Sequence, residues 1–396
     1  MPPRFSELQR NVREVDSLAV LHGEVSGARA DNESIIVAAI AGTDDVPLVA
    51  NYGEVLANGR YLLRVTAGTS YRLVAFLDAN RNLRLDEGER VGVLPARALG
   101  VSGRPVGGLN IALDPKVQLS TADRRALGGL NAVKRIELPV AMGSVVDIDD
   151  ATFTPEVASK GLWAPSDFLS EVGGGVYFLQ PYSAARVPVL FVHGAGGNPR
   201  EFEVLINALD RDRFQPWVYY YPSGVRLEAA AQGLDSIISA LRRELGFSRM
   251  IITAHSMGGL VSMAYIKRQE ASGKRDLVPL LVTLATPWRG HRAAALGVKH
   301  APVAIPSWID MQEDSDLQQA LFSRPLASST RFALLFGFHG DSGDGTISLA
   351  SQLRPEAQRD AEKVLGFDET HTSILRSEAV RDNWLMLLDS VVRPKH

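Results

Sequence analysis

Met250-Ile251-Ile252-Thr253-Ala254-His255-Ser256-Met257-Gly258-Gly259-Leu260-Val261 is the stretch that decides the fold. Its apolar start reads as a buried strand, its centre as a tight turn carrying a serine, and its end as a helix. Such a turn at the top of a parallel sheet exposes the serine oxygen and aims it away from the backbone. Small flanking residues let strand and helix approach closely. The pattern Ala/Gly-x-Ser-x-Gly arises by chance roughly half a time in a chain of this composition, and an ordinary turn serine would also satisfy it. The surrounding sequence has to decide.

Downstream of Val187, strand and helix patterns alternate. Val187-Pro-Val-Leu-Phe-Val leads to a helix over 200–209, then Trp217-Val-Tyr-Tyr-Tyr, a helix over 227–245, the Ser256 unit, Leu280-Leu-Val-Thr-Leu-Ala and Phe332-Ala-Leu-Leu-Phe. This alternation predicts an α/β fold with a mostly parallel sheet covered by helices on both faces. Ligands of such sheets bind at the carboxyl ends of the strands, where Ser256 falls. Upstream, from about Val15 to Leu113, the text is strand-like: Leu18-Ala-Val-Leu, Ser34-Ile-Ile-Val-Ala-Ala-Ile, Tyr61-Leu-Leu-Arg-Val and Tyr71-Arg-Leu-Val-Ala-Phe-Leu, punctuated by Gly, Asn and Asp. That spacing predicts an all-β sandwich. The expected organisation is an N-terminal helix over 1–15, a β-sandwich over 16–114, a connector packing on both halves over 115–182 with a short helix at 121–127, and a catalytic domain over 183–396. A lid or cap insertion is expected within it at about 288–330.

The 396 residues suffice for about two or three domains. With 45% hydrophobic and 22% charged residues and a formal net charge of -3, no strong field favours nucleic acid. Having no cysteine, the chain can make neither a disulfide, a thiolate metal site nor a cysteine nucleophile. No apolar run is long enough to span a bilayer. The start, Met1-Pro2-Pro3-Arg4, lacks the charged-then-apolar pattern of a signal peptide. The expectation leans to an exported protein of the periplasm or envelope whose targeting segment is absent from this sequence, with the cytoplasm as alternative. Peripheral contact with a membrane or envelope surface stays open, as does the oligomeric state.

A serine hydroxyl needs a base to take its proton, and the base needs a carboxylate to hold its tautomer. In open hydrolase sheets these follow the serine in the order acid, then histidine. Of the histidines downstream of Ser256, His396 is terminal, His291 and His300 lie in the insertion, and His339 directly follows the Phe332 strand. His371, in the polar loop Asp368-Glu-Thr-His-Thr-Ser before a helix, is the preferred base, against a surface or helix-capping role. For the acid, Gly340-Asp341-Ser342-Gly343-Asp344-Gly345-Thr346-Ile347 offers two carboxylates. Asp344, flanked by glycines, is preferred to Asp341, although Asp and Gly also dominate ordinary turns. Backbone N-H groups of Met257, at the helix start, and of Ala195, in His193-Gly194-Ala195-Gly196-Gly197-Asn198, would form the oxyanion hole. This glycine loop lacks the Gly-Lys-Ser/Thr ending and the spacing of nucleotide-binding loops.

The stretch from about Val187 to Val391 resembles the α/β-hydrolase superfamily, and within it bacterial lipases and esterases and the acyl-inositol deacylase and lipid acyltransferase relatives. The residues that carry the resemblance are His193-Gly-Ala-Gly-Gly, Ala254-His-Ser-Met-Gly-Gly, Thr283-Leu-Ala-Thr-Pro-Trp-Arg-Gly, Gly343-Asp-Gly-Thr-Ile and Asp368-Glu-Thr-His. Ala254 stands where glycine is commonest. The resemblance implies hydrolysis of a small-molecule or lipid ester through an acyl-enzyme on Ser256, with no cofactor required. Interception of that acyl-enzyme would make an acyltransferase or amidase instead, and a non-catalytic envelope binding module is the alternative of a different class. Trp288, His255 and Gly194 are expected to line the substrate site. In the front half, Asp78, Asn80, Asn82, Asp86 and Glu89 fall at calcium-loop spacing and resemble the Asp-x-Asn-x-Asn loops of extracytoplasmic sandwich modules. Leu83 replaces the usual turn glycine there, and a polar hairpin held by Asx hydrogen bonds is the competing reading.

Overall fold

The computed structural model describes residues 5–27, 33–56, 59–98, 106–133, 135, 140–273, 276–340 and 342–392. Asp341 and His396 lie outside them. The chain divides into two compact units, one of Arg13–Pro139 and one of Met1–Val12 with Val140–His396.

Among the described residues the smaller unit contains seven strands: β1 Leu18–Ser26, β2 Ser34–Gly42, β3 Pro47–Glu54, β4 Arg60–Thr66, β5 Ser70–Asp78, β6 Val91–Ala98 and β7 Ile111–Ala112. They form two sheets, ordered β4-β1-β7 and β3-β2-β5-β6. Because side chains alternate along a strand, Val37 and Ala39 of β2 and Leu73, Ala75 and Leu77 of β5 meet Ala19, Leu21, Leu63 and Val65 of the facing sheet in one core. The other face of β2 and β5, with Ile36, Ala38, Ile40, Val74 and Phe76, packs with Leu127 and Leu130 from the helix Thr121–Leu127 and the turn after it. Cover on both faces is why β2 is an unbroken apolar run instead of an alternating one. The stretch 115–182 is shared out: its part through Pro139 belongs with this sandwich, and the rest with the larger unit.

The larger unit is built on an eight-stranded sheet of β8 Ala141–Val145, β9 Gly175–Phe178, β10 Val187–Val192, β11 Phe214–Tyr220, β12 Ile251–His255, β13 Leu280–Leu284, β14 Arg331–Phe338 and β15 Lys363–Asp368. Its order is β15-β14-β13-β12-β10-β11-β9-β8. The six strands β10 to β15 pair in parallel. β9 runs antiparallel to β11 and parallel to β8. Val189, Phe191, Ile251 and Val282 share a core with Trp384, Leu387 and Leu388 of the C-terminal helix Glu378–Val392. The alternate residues Leu190, Ile252 and Leu281 are buried as well, so both faces are covered. Trp384 also donates its indole N-H to Thr253 Oγ1 at 2.9 Å, satisfying the polar atoms of a buried β12 residue. No helix among the described residues is long and apolar enough to cross a membrane.

Connection 288–330 contains the helices Arg292–His300, Pro306–Asp310 and Asp316–Leu321. It is anchored at Asp310. The Arg226 Nε and Nη2 reach this buried carboxylate at 3.0 and 2.6 Å, and the Leu227 N-H donates to it at 2.7 Å. Leu227 opens the helix Leu227–Leu245, whose own N-cap, Arg226, supplies no capping oxygen. Asp310 therefore caps this helix from the insertion and puts a negative charge at its positive end. Removing the carboxylate strands the Leu227 N-H, while the half-exposed Arg226 can turn to water. Asp310→Ala is expected to destabilise the unit by about 2 kcal/mol, below the full cost of breaking a wholly buried pair, read from urea unfolding.

Candidate active site

The carboxyl ends of four parallel strands bring the predicted catalytic residues together. Gly194 and Ala195 follow β10, Ser256 follows β12, Asp344 follows β14 and His371 follows β15. Ser256 sits at φ 52 and ψ -128, a left-handed position for a residue with a side chain, and then opens the helix Met257–Ala271. That reversal needs close approach on every side. A Cβ on Gly194 would lie 2.8 Å from Ser256 Cβ, one on Gly258 2.3 Å from the Val192 carbonyl oxygen, and one on Gly259 2.1 Å from Thr286 Oγ1. The position before the turn, Ala254, tolerates its methyl within the buried strand β12.

His371 bridges the other two groups. Its Nε2 lies 3.0 Å from Ser256 Oγ and its Nδ1 2.7 Å from Asp344 Oδ2. Nδ1-H then donates to the carboxylate, leaving Nε2 to accept the serine proton. Asp344 is almost wholly buried, and its second oxygen accepts the N-H groups of Thr346 at 2.9 Å and Ile347 at 2.6 Å. Burial alone would raise its carboxyl, but the hydrogen bond and charge of His371 and these two amides outweigh it and hold the group below the usual carboxylate range. Burial pulls the His371 imidazole below its ordinary 6.5 against the contrary pull of Asp344, and the neighbouring His255 and His291 add to the lowering.

The glycine loop after β10 is shaped by side chains outside the triad. Tyr221 donates its hydroxyl to the His193 carbonyl at 2.9 Å and stacks on the His193 ring at 4.4 Å. Ser223 Oγ accepts the Gly196 N-H at 2.9 Å. Asn198 and Glu201 close a capping box on the turn Pro199–Phe202. Glu201 is the one of these that the sequence could have disclosed, through the Asn-Pro-x-Glu spacing of a helix start. Ala195 is exposed, and neither its N-H nor that of Met257 donates to an acceptor among the described residues.

Other candidates fall elsewhere. Trp288 is fully buried and packs edge-on against Phe322 and Phe332, so its side chain belongs to the core and presents no open surface. His255 is buried too, with Nε2 2.8 Å from the His371 carbonyl oxygen. His339 is exposed beside Asp368, His300 is exposed at a helix end, and His291 Nε2 lies 3.0 Å from the Thr346 carbonyl. In the front unit, the Asp78 carboxylate accepts the N-H groups of Asn82 and Leu83, and Glu89 accepts those of Ala79 and Asp86. Both amide side chains, Asn80 and Asn82, donate to Asp86. The loop is thus a turn held by its own side-chain oxygens, and the described residues group no three acidic or imidazole side chains for a metal ion.

Residues 225–356 match the model of a family described as an alpha/beta hydrolase of unknown function (DUF915). No curated protein matches the chain. Among solved structures, the chain is similar to the mature lipase BlEst2 of Bacillus licheniformis, at 16% identity and a TM-score of 0.44 over 54% of this chain and 97% of that one. It is also similar to a thermophilic esterase from Thermogutta terrifontis, at 17% identity and a TM-score of 0.39 over 55% and 94%. A third is the monoacylglycerol lipase of Paleococcus ferrophilus, at 16% identity and a TM-score of 0.40 over 55% and 98%. The larger unit has the α/β-hydrolase fold, preceded by a smaller all-β sandwich.

Two outcomes follow from the geometry. Gly194→Ala forces a methyl group against Ser256, and displacement of a reacting atom by about 1 Å costs about 10²-fold in rate. Labelling of Ser256 by a fluorophosphonate should slow by about that factor, and the melting temperature should fall as the turn shifts. Because His371 accepts a proton only when neutral and its value lies below 6.5, labelling by the unaltered protein should be flat from neutral pH upward. It should fall only as the pH drops through a point below 6.5, as a rate profile will check.

Proposed function

We propose that the chain is a serine carboxylic-ester hydrolase working through an acyl-enzyme. The observation that carries this reading is His371, with one ring nitrogen 3.0 Å from Ser256 Oγ and the other 2.7 Å from a buried Asp344 carboxylate. Ser256 Oγ attacks the ester carbonyl while His371 Nε2 takes its proton, and Asp344 stabilises the imidazolium that forms. The negative charge developing on the carbonyl oxygen is received by the N-H groups of Ala195 and Met257, each worth about 3 kcal/mol in a site of this kind. Collapse of the tetrahedral species breaks the carbon-oxygen bond, and the departing alcohol leaves with the proton of His371. Water, deprotonated by His371, then attacks the acyl-enzyme and releases the acid.

An apolar acyl group suits the surroundings. Leu162 Cδ2 lies 3.5 Å from where a Cβ on Gly196 would be, beside the loop that carries Ala195. Its neighbour Trp163 meets Trp308 of the insertion edge to face, with ring centroids 5.7 Å apart, and all three side chains are partly exposed. Partly exposed apolar side chains gain by being covered, at about 25 cal/mol per Å². The unaltered protein is expected to hydrolyse p-nitrophenyl esters, with kcat/KM rising from acetyl to medium-length acyl groups. Ser256→Ala should abolish turnover by about 10⁴-fold or more. Absence of turnover on every chain length, with no labelling of Ser256, would sink the reading.

A further inference from the structure

His371 lies between β15 and the turn Ser373–Leu375, outside any strand. Its backbone is nevertheless held at both ends. Its N-H donates to the Asp344 carbonyl oxygen at 2.9 Å, and its own carbonyl oxygen lies 2.8 Å from His255 Nε2. The rings of His255 and His371 are 4.8 Å apart between centroids. On the far side of His255, Nδ1 faces Glu201 Oε2 at 3.7 Å. Both of those atoms are buried and make no hydrogen bond.

Two facing polar atoms left without partners in the interior are costly unless the pair itself has a use. Nor is Glu201 there by accident of rotamer. Its Oε1 accepts the Asn198 N-H at 3.3 Å, which leaves Oε2 directed at His255. A Cβ on Gly197 would lie 2.6 Å from Oε1, so the loop leaves that space to the carboxylate. Burial alone would raise the Glu201 carboxyl, yet its interactions with His255 and the Asn198 amide hold it below the ordinary range. A negative charge is thus kept at the back of the His255 ring.

We infer that His255, oriented by Glu201, is a positioning residue for the triad base: its Nε2-H fixes the His371 peptide and ties the base loop to the oxyanion loop that carries Glu201. The inference rests on the triad reading above. It assigns work to the residue that precedes the nucleophile, whose ring faces the base.

The test uses the full chain with three substitutions. His255→Leu removes the donor, His255→Gln keeps an N-H at the position of Nε2, and Glu201→Ala removes the orienting carboxylate. Expected for His255→Leu is a kcat about tenfold lower at unchanged KM, the size of one lost hydrogen bond. His255→Gln should restore kcat to within about threefold of the unaltered protein, and Glu201→Ala should lower kcat without raising KM. Native kcat in His255→Leu, a loss confined to KM, or a His255→Gln variant as impaired as His255→Leu would each overturn the inference. Should His255→Leu fail to fold, native kcat in Glu201→Ala would overturn it and a lowered kcat at constant KM would support it. Fluorophosphonate labelling of the unaltered protein is the control: no labelling means the triad reading has failed, whereas labelling with unaffected variants means that only the positioning role has.

Discussion

The turn at Ser256 is the constraint on which the rest of the larger unit depends. A side-chain-bearing residue held at positive φ costs about 1 to 3 kcal/mol and persists only where its surroundings over-determine it. Here they do. The Ser256 N-H donates to the Leu284 carbonyl at 2.9 Å, which ties the turn to the end of β13. The next residue of that strand end, Ala285, is itself at φ 52, and its N-H is held by the Leu335 carbonyl of β14. Two strained positions on adjacent strands therefore support each other through the sheet. Glycines at 194, 258 and 259 then follow as necessities of the same geometry, since a methyl group at any of them would collide with atoms that form the turn or its supports.

Electrostatics at the site come down to how several buried imidazoles share two carboxylates. His371 has Asp344, and His255 has Glu201. At the third, His193, burial outweighs the contrary pull of Glu201 and lowers its value, and its ring sits between the Gly194 carbonyl and the Tyr221 N-H. A ring so placed can serve as a spacer in the loop. On the proposed hydrolase reading, the division matters because a further positive charge beside the base would weaken its hold on the serine proton, while an unpaired carboxylate would oppose the negative charge of the tetrahedral species.

How much of this was legible in the sequence depends on whether a residue's role was local. Ser256, Asp344 and His371 could be ordered along the chain because each sits in a short motif directly after a strand, and the structure brings all three together. The helices at 121–127 and 227–245 were readable from periodicity, the second ending at Gly246 in the left-handed conformation that favours glycine. By contrast, β15 pairs at the sheet edge, and with only Leu365 and Phe367 half-buried its alternation is too short to stand out in the sequence. β8 and β9 were lost in the stretch 115–182 because strands of five and four residues are too short to show a period. Trp288 shows the limit of adjacency: a tryptophan beside a strand end suggests a pocket wall, yet its ring turns inward to Phe322 and Phe332. Tyr221 acts through a partner distant along the chain, which no local pattern announces, and the Asn-Pro-x-Glu spacing shows Glu201 as a cap without showing that it faces His255.

The connection 288–330 can now be weighed by its attachments. Asp310 is clamped by Arg226 and the Leu227 N-H, His291 meets the Thr346 carbonyl on the acid loop, and Ser351 Oγ donates to the Gly290 carbonyl at 2.5 Å. Arg289 and Arg354 both reach Asp314. These ties join the insertion to the helix start at Leu227 and to the loop that carries Asp344, which are parts of the framework holding Ser256, Asp344 and His371 together. A segment fastened in this way transmits its own packing to the acid loop. The insertion therefore meets the rest of the unit in two ways, through Trp308 packed on Trp163 and through His291 as a support for the turn from which Asp344 reaches His371. On the proposed reading, changes made to alter acyl preference are best confined to its half-exposed aromatic face, since those that loosen its anchored turns would reach Asp344 and, through it, His371.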